Sequence, residues 1–146
     1  MDFDSIHILL ADDDADDCLF FKEALEELPV SASLATVNDG AELMDYLDSS
    51  PLPDLLFLDL NMPKKTGFEC LTEIHQKNKL KEIKVIIFST HIDPETLKLF
   101  HARGAHYFIR KPSEFSLLKK VINNALIQTT KSPLEGSPAE IIVINP

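Results

Sequence analysis

Five short apolar runs alternate with longer amphipathic stretches along this chain, and that alternation restricts the fold more than any other feature. The runs are Ile6 to Ala11, Leu34 to Val37, Leu55 to Leu58, Val85 to Phe88 and Tyr107 to Ile109. Between them apolar residues recur at helical spacing, as in Cys18, Phe21, Leu25 and Leu28, and later in Leu117, Val121, Ile122 and Leu126. Repeated strand and helix signals predict an α/β fold on a mainly parallel sheet. The runs starting at Ile6, Leu55 and Val85 are almost continuously apolar, which suits central strands covered on both faces. Leu34 to Val37 is more polar and belongs at an edge.

Local signals mark where helices begin and end. Asp39 is followed three residues later by Glu42, and Thr66 by Glu69, the pattern of an N-cap with an acidic partner. Asp93 and Pro94 suit an N-cap and a first helical residue, and Gly104 suits the stop. The 146 residues hold one ordinary domain, assigned to residues 1–128. Residues 129–146 are expected to be a C-terminal extension, a loop with Pro133, Gly136 and Pro138 and then the run Glu140 to Ile144. Ile141 to Ile144 are β-branched and apolar, a pairing hazard if left bare. They are expected to form an extra strand or strap on the same domain, or else a docking or dimerisation segment.

Charge narrows the partners. Fourteen Lys and Arg against 24 Asp and Glu give a net charge of -10, which repels phosphate backbones and anionic lipid, so neither nucleic acid nor membrane is expected as a partner. Two cysteines, Cys18 and Cys70, are too few for a disulfide framework and are expected as core thiols. The acidic start lacks the basic flank and apolar stretch of a signal peptide, so a cytoplasmic protein is expected. Five histidines lie on different elements without ligand spacing, which argues against zinc.

Ligands of an open parallel sheet bind beyond the carboxyl ends of its strands. The first run leads into Asp12, Asp13 and Asp14, the third into Asp59, the fourth into Ser89 and Thr90, and the fifth into Lys111. Carboxylates about 4 Å apart repel by about 4 kcal/mol at an effective dielectric of about 20, so Asp12, Asp13 and Asp59 on one rim need a cation. Hard, oxygen-ligated Mg²⁺ suits them. Asp14, Asp16 and Asp17 have a simpler role, as acids favoured in the first turn of a helix. Asp59 can act as a nucleophile that becomes an aspartyl phosphate, while Lys111 offers an ammonium and Ser89 a hydroxyl to the phosphoryl oxygens.

The segments ILLADDD, LFLDLNMPKKTG around Asp59, IIFST around Ser89 and FIRKP ending in Lys111 and Pro112 resemble, in order and spacing, the receiver domains of two-component response regulators. The resemblance covers roughly Ile6 to Gln128. It implies a flavodoxin-like, doubly wound fold with a five-stranded sheet in the order 2-1-3-4-5. It further implies that Asp59 is the phosphoacceptor, that Asp13 and Asp59 ligate Mg²⁺ directly, that Asp12 acts largely through water, and that the Asn61 carbonyl completes the protein ligands. Ser89 and Lys111 would bind the phosphoryl group, a cis bond would precede Pro112, and Phe108 would be the aromatic switch that answers to Ser89. Asp12 where Asp or Glu is common, Ala15 where Pro is frequent and Ser89 in place of Thr are mild departures, and Gly67 fits the pattern.

On this reading the protein is not a conventional enzyme. It is a stand-alone switch of a two-component system or phosphorelay, phosphorylated by a sensor histidine kinase or histidine phosphotransfer protein. It signals to a downstream protein through the face of the fourth helix, fifth strand and fifth helix, where two copies could also pair. His91, two residues past Ser89, is expected to affect phosphate lifetime. An aspartate-nucleophile phosphatase fits poorly, because Asn61 stands where such hydrolases carry a second Asp as general acid. The remaining alternative is a phosphate-independent adaptor domain of the same fold.

Overall fold

Four of the five helices start at a cap that their own sequence supplies. The structure is a computed structural model and describes residues 5–77, 82–90, 92–131 and 142–146, with residues 130 and 131 described by their backbone alone. Helix α1 (Ala15–Glu26) is capped by the Asp14 carboxylate, which accepts from the N–H groups of Asp16 and Asp17. Helix α2 (Gly40–Ser49) begins at Asp39, which accepts from Glu42 N–H at 2.8 Å. Helix α3 (Gly67–Gln76) has a full capping box between Thr66 and Glu69. Helix α4 (Pro94–Ala102) has Asp93 as N-cap, and Gly104 follows it with a φ of 97°, a left-handed conformation that glycine tolerates without steric cost. Helix α5 (Phe115–Lys131) runs three residues past Gln128.

The strands are β1 (Ile6–Ala11), β2 (Ala32–Val37), β3 (Leu55–Leu58), β4 (Lys84–Ser89), β5 (Tyr107–Arg110) and β6 (Ile142–Val143). All pair in parallel, in the order β2-β1-β3-β4-β5-β6, so the weakly apolar second strand does lie at an edge. Alternation along the strands divides the core in two. Leu9, Leu56, Leu58, Val85, Ile87 and Phe108 face α2, α3 and α4, whereas Ile8, Leu10, Phe57, Phe88, Tyr107 and Ile109 face α1 and α5. In the second layer Phe21, Phe57 and Phe88 meet edge to face with centroids 4.9 to 5.9 Å apart. Burying each such ring contributes roughly 1.5–3 kcal/mol.

Two expectations are corrected. The sheet has six strands rather than five, because the end of the extension pairs with β5. Ile142 N–H donates to the His106 carbonyl at 2.8 Å, and Ile144 N–H donates to the Phe108 carbonyl at 2.9 Å. Ile144 is buried beside α5, and the Asn124 side-chain amide donates to the Asn145 carbonyl at 2.8 Å. Backbone groups that β5 would otherwise leave unpaired at an edge are thereby satisfied. The second correction concerns Pro112: no cis peptide bond occurs among the described residues, so the bond before it is trans, the form an X-Pro bond ordinarily prefers. The loop residues Pro133, Gly136 and Pro138, and Ile141, lie outside the described residues. Among the described residues no helix is long and apolar enough to cross a membrane.

Candidate functional site

Strand register brings the polar residues together. Ala11 pairs with Leu58, so Asp12 and Asp59, each one step further, emerge side by side where β1 and β3 end. Leu58 pairs with Ile87 and Ser89 with Arg110, which carries Ser89 and Lys111 to the same rim. Asp59 N–H donates to the Ala11 carbonyl at 2.9 Å and Lys111 N–H to the Ser89 carbonyl at 2.9 Å, so the ladder hydrogen bonds extend just far enough to fix both residues. Oxygens of Asp12, Asp13 and Asp59 lie within 4.8 Å of one another.

The three carboxylates differ in setting. Asp12 is fully buried; one oxygen accepts Asp14 N–H at 3.0 Å and the other accepts the Lys111 ammonium at 2.8 Å. Its carbonyl is held by the Asn38 amide at 3.2 Å and the Cys18 thiol at 3.5 Å. Asp59 is only 7% exposed and accepts Leu60 N–H at 2.8 Å. Asp13 is exposed. Burial pushes Asp59 up to about 6, opposed by the Lys111 charge and reinforced by that of Asp12. Burial also raises Asp12, against its hydrogen bond to Lys111. For Lys111 burial works downward, but the hydrogen bond to Asp12 and the charges of Asp59 and Asp12 outweigh it and hold the ammonium protonated.

Lys111 Nζ lies 2.8 Å from Asp12, 3.0 Å from Asp17 and 3.5 Å from Asp59, and 5.4 Å from the centre of the Phe88 ring. Asp17 is the residue whose role the sequence conceals. Its place in the first turn of α1 explains it as a helix-dipole acid, yet its side chain reaches a lysine 94 positions away. Gly67 serves the site through its lack of a side chain: a Cβ there would stand 2.4 Å from the Asp59 carbonyl oxygen. Helix α3 can start against the Asp59 backbone only because the residue is glycine.

The remaining expected residues are distributed around this centre. Ser89 is 2% exposed at the end of β4, and Asn61 is exposed two residues past Asp59. Phe108 is 5% exposed and packs in the opposite layer, in the cluster that holds Ile87, Phe100 and Ala105. Cys70 is buried and Cys18 half-buried, both with thiols that burial pushes up to about 11, so neither is primed as a nucleophile. His91 lies outside the described residues.

The donor set is anionic and all oxygen. Three carboxylates against one ammonium leave a local excess of negative charge, partly open to water through Asp13, which fits a hard divalent ion such as Mg²⁺. Comparison with known proteins agrees with this geometry. The family model for the response regulator receiver domain matches residues 8–123. The response regulator Rcp1 of Synechocystis sp. is 31% identical over 135 residues, covering 86% of this chain and 92% of the relative. A crystal structure of the phosphorylated cyanobacterial phytochrome response regulator RcpA superimposes with a TM-score of 0.76 at 33% identity, covering 84% of this chain and 91% of that one. The Mn²⁺-bound form of Rcp1 gives 0.75 at 28% identity, covering 92% and 99%.

Proposed function

The chain belongs to the response regulator receiver family, whose members act in two-component signalling, and on that premise we propose that it is a switch thrown by phosphorylation of Asp59. The observation that supports this most is the convergence of Asp12, Asp13 and Asp59 within 4.8 Å, with Lys111 Nζ 3.5 Å from Asp59. RcpA is known in a phosphorylated form and Rcp1 in a Mn²⁺-bound one, which makes the same chemistry a natural reading for this relative.

Asp13, Asp59 and the Asn61 carbonyl would hold Mg²⁺, with Asp12 acting through water, and the ion would offset charge on the phosphoryl oxygens. The donor is a phosphohistidine of a sensor kinase or phosphotransfer protein. An Asp59 carboxylate oxygen forms a bond to phosphorus as the phosphorus–nitrogen bond breaks, and that electron pair returns to the imidazole. Lys111 contributes an ammonium that is already protonated and desolvated, so little reorganisation is needed as the phosphoryl charge arrives. Ser89 offers its hydroxyl to the same group. Hydrolysis by water later breaks the bond between Asp59 and phosphorus and restores the carboxylate.

Readout is by contact with a downstream protein through α4, β5 and α5. Phe108 sits in β5 beneath that face, next to Ile87 in the register and two strand positions from the level of Ser89, so a shift at Ser89 has a short packed route to it. Strand β6 narrows the face, because a partner meets β6 where β5 would have been the edge. Incubation with acetyl phosphate and Mg²⁺ followed by intact mass tests the proposal. One phosphoryl adduct is expected on the wild type and none on Asp59→Asn; an equal adduct on both, or none on either, would contradict it.

A further inference from the structure

We infer that Asp17 is a positioning residue for Lys111, an anchor outside the carboxylate cluster that fixes the side from which the ammonium reaches Asp59. The inference rests on the reading of Asp59 as phosphoacceptor. An ammonium has three N–H donors. Here Asp12 and Asp17 take hydrogen bonds at 2.8 and 3.0 Å, while Asp59 stands at 3.5 Å, within charge contact but outside good hydrogen-bond length. Asp12 and Asp59 belong to the group of three carboxylates that can share a cation; Asp17 does not. It is therefore the partner that can remain with the lysine while the other two are engaged elsewhere.

The anchor is itself held. Asp17 N–H donates to the capping carboxylate of Asp14 at 3.2 Å, so the first turn of α1 sets where its side chain starts. Lysine has a flexible four-carbon stem, and without a second fixed anion the ammonium would be tethered only by carboxylates that also attract the incoming group's counter-ion. Asp17 is about one-third exposed in its side chain, so it can be exchanged without opening the core. Asp16, on the same turn and with the same charge, is exposed and forms no ion pair among the described residues, which makes it a matched control.

The test compares wild type with Asp17→Asn, Asp17→Glu and Asp16→Asn in two measurements on the full chain. The first is the rate at which acetyl phosphate with Mg²⁺ phosphorylates the protein. The second is trace acetylation of amines by acetic anhydride, with Lys111 read by mass spectrometry against the other lysines as internal reference. Asp17→Asn is expected to slow phosphorylation about three- to tenfold and to raise the relative labelling of Lys111 about threefold. Asp17→Glu should recover most of both, and Asp16→Asn should change neither. If Asp17→Asn phosphorylates at the wild-type rate and leaves Lys111 labelling unchanged, the inference is overturned. That outcome differs from failure of the phosphoacceptor reading, in which the wild type itself takes up no phosphate.

Discussion

Asp59 is ionised at neutral pH in a place that works against its charge. Burial raises it from the usual 3.8 to about 6, so the folded chain binds that proton more tightly than the unfolded one. Its contribution to stability is therefore greatest below about pH 4 and is lost as pH rises through about 6. Asp59→Asn removes this slope. In EDTA the variant should be more stable than wild type by about 1–2 kcal/mol at pH 7 and nearly equal at pH 4, measured by thermal unfolding. By the same sign, Mg²⁺ affinity should be flat above about pH 7 and weaken below about 6, as protons compete for Asp59. Lys111→Ala acts in the opposite direction. It leaves the fully buried Asp12 without its counter-charge and should cost about 2–4 kcal/mol in EDTA, partly restored by Mg²⁺. At this scale the candidate site was largely legible, because Asp12, Asp59 and Ser89 each follow directly on an apolar run and Lys111 follows one residue later, after Arg110. The bond from Asp17 to Lys111 was not, since it depends on which strand delivers the lysine beside α1. The burial of Phe108 was hidden for a related reason: alternation along β5 gives its face, but only packing shows that the layer around it leaves the ring inside.

At the scale of elements, the caps at Asp39, Thr66 and Asp93 could be read directly, because each is a local bond between residues three apart. Strand β6 could be foreseen only in part. Four β-branched apolar residues announced a need for cover, but nothing local says that the partner is β5 or that pairing is parallel. The segment earns its place through Ile144, buried with α5, and through two ladder hydrogen bonds. Removal of residues 142–146 should destabilise the protein by about 2 kcal/mol, mostly the burial of Ile144, seen as a lower urea midpoint. It should also bare the edge of β5 and raise self-association, seen as a concentration-dependent sedimentation coefficient. Unchanged stability and unchanged sedimentation would mean that β6 contributes nothing to the sheet.

The whole molecule is a sheet that collects charge at one rim and packs apolar layers on both faces. Its order, β2-β1-β3-β4-β5-β6, puts the ends of β1, β3, β4 and β5 side by side, so residues from positions 12 to 111 meet at one spot. That assembly has a chemical purpose if one of its carboxylates is esterified by phosphate while a divalent ion holds the others. Borohydride reduces an acyl phosphate to an alcohol and would leave homoserine where the aspartyl phosphate had been. Peptide sequencing by mass spectrometry, after acetyl phosphate treatment and borohydride reduction, therefore identifies the acceptor. Homoserine at position 59 alone, formed with Mg²⁺ and absent with EDTA, is the predicted result; homoserine at position 12 or 13, or at 59 to the same extent without a divalent ion, would contradict the account.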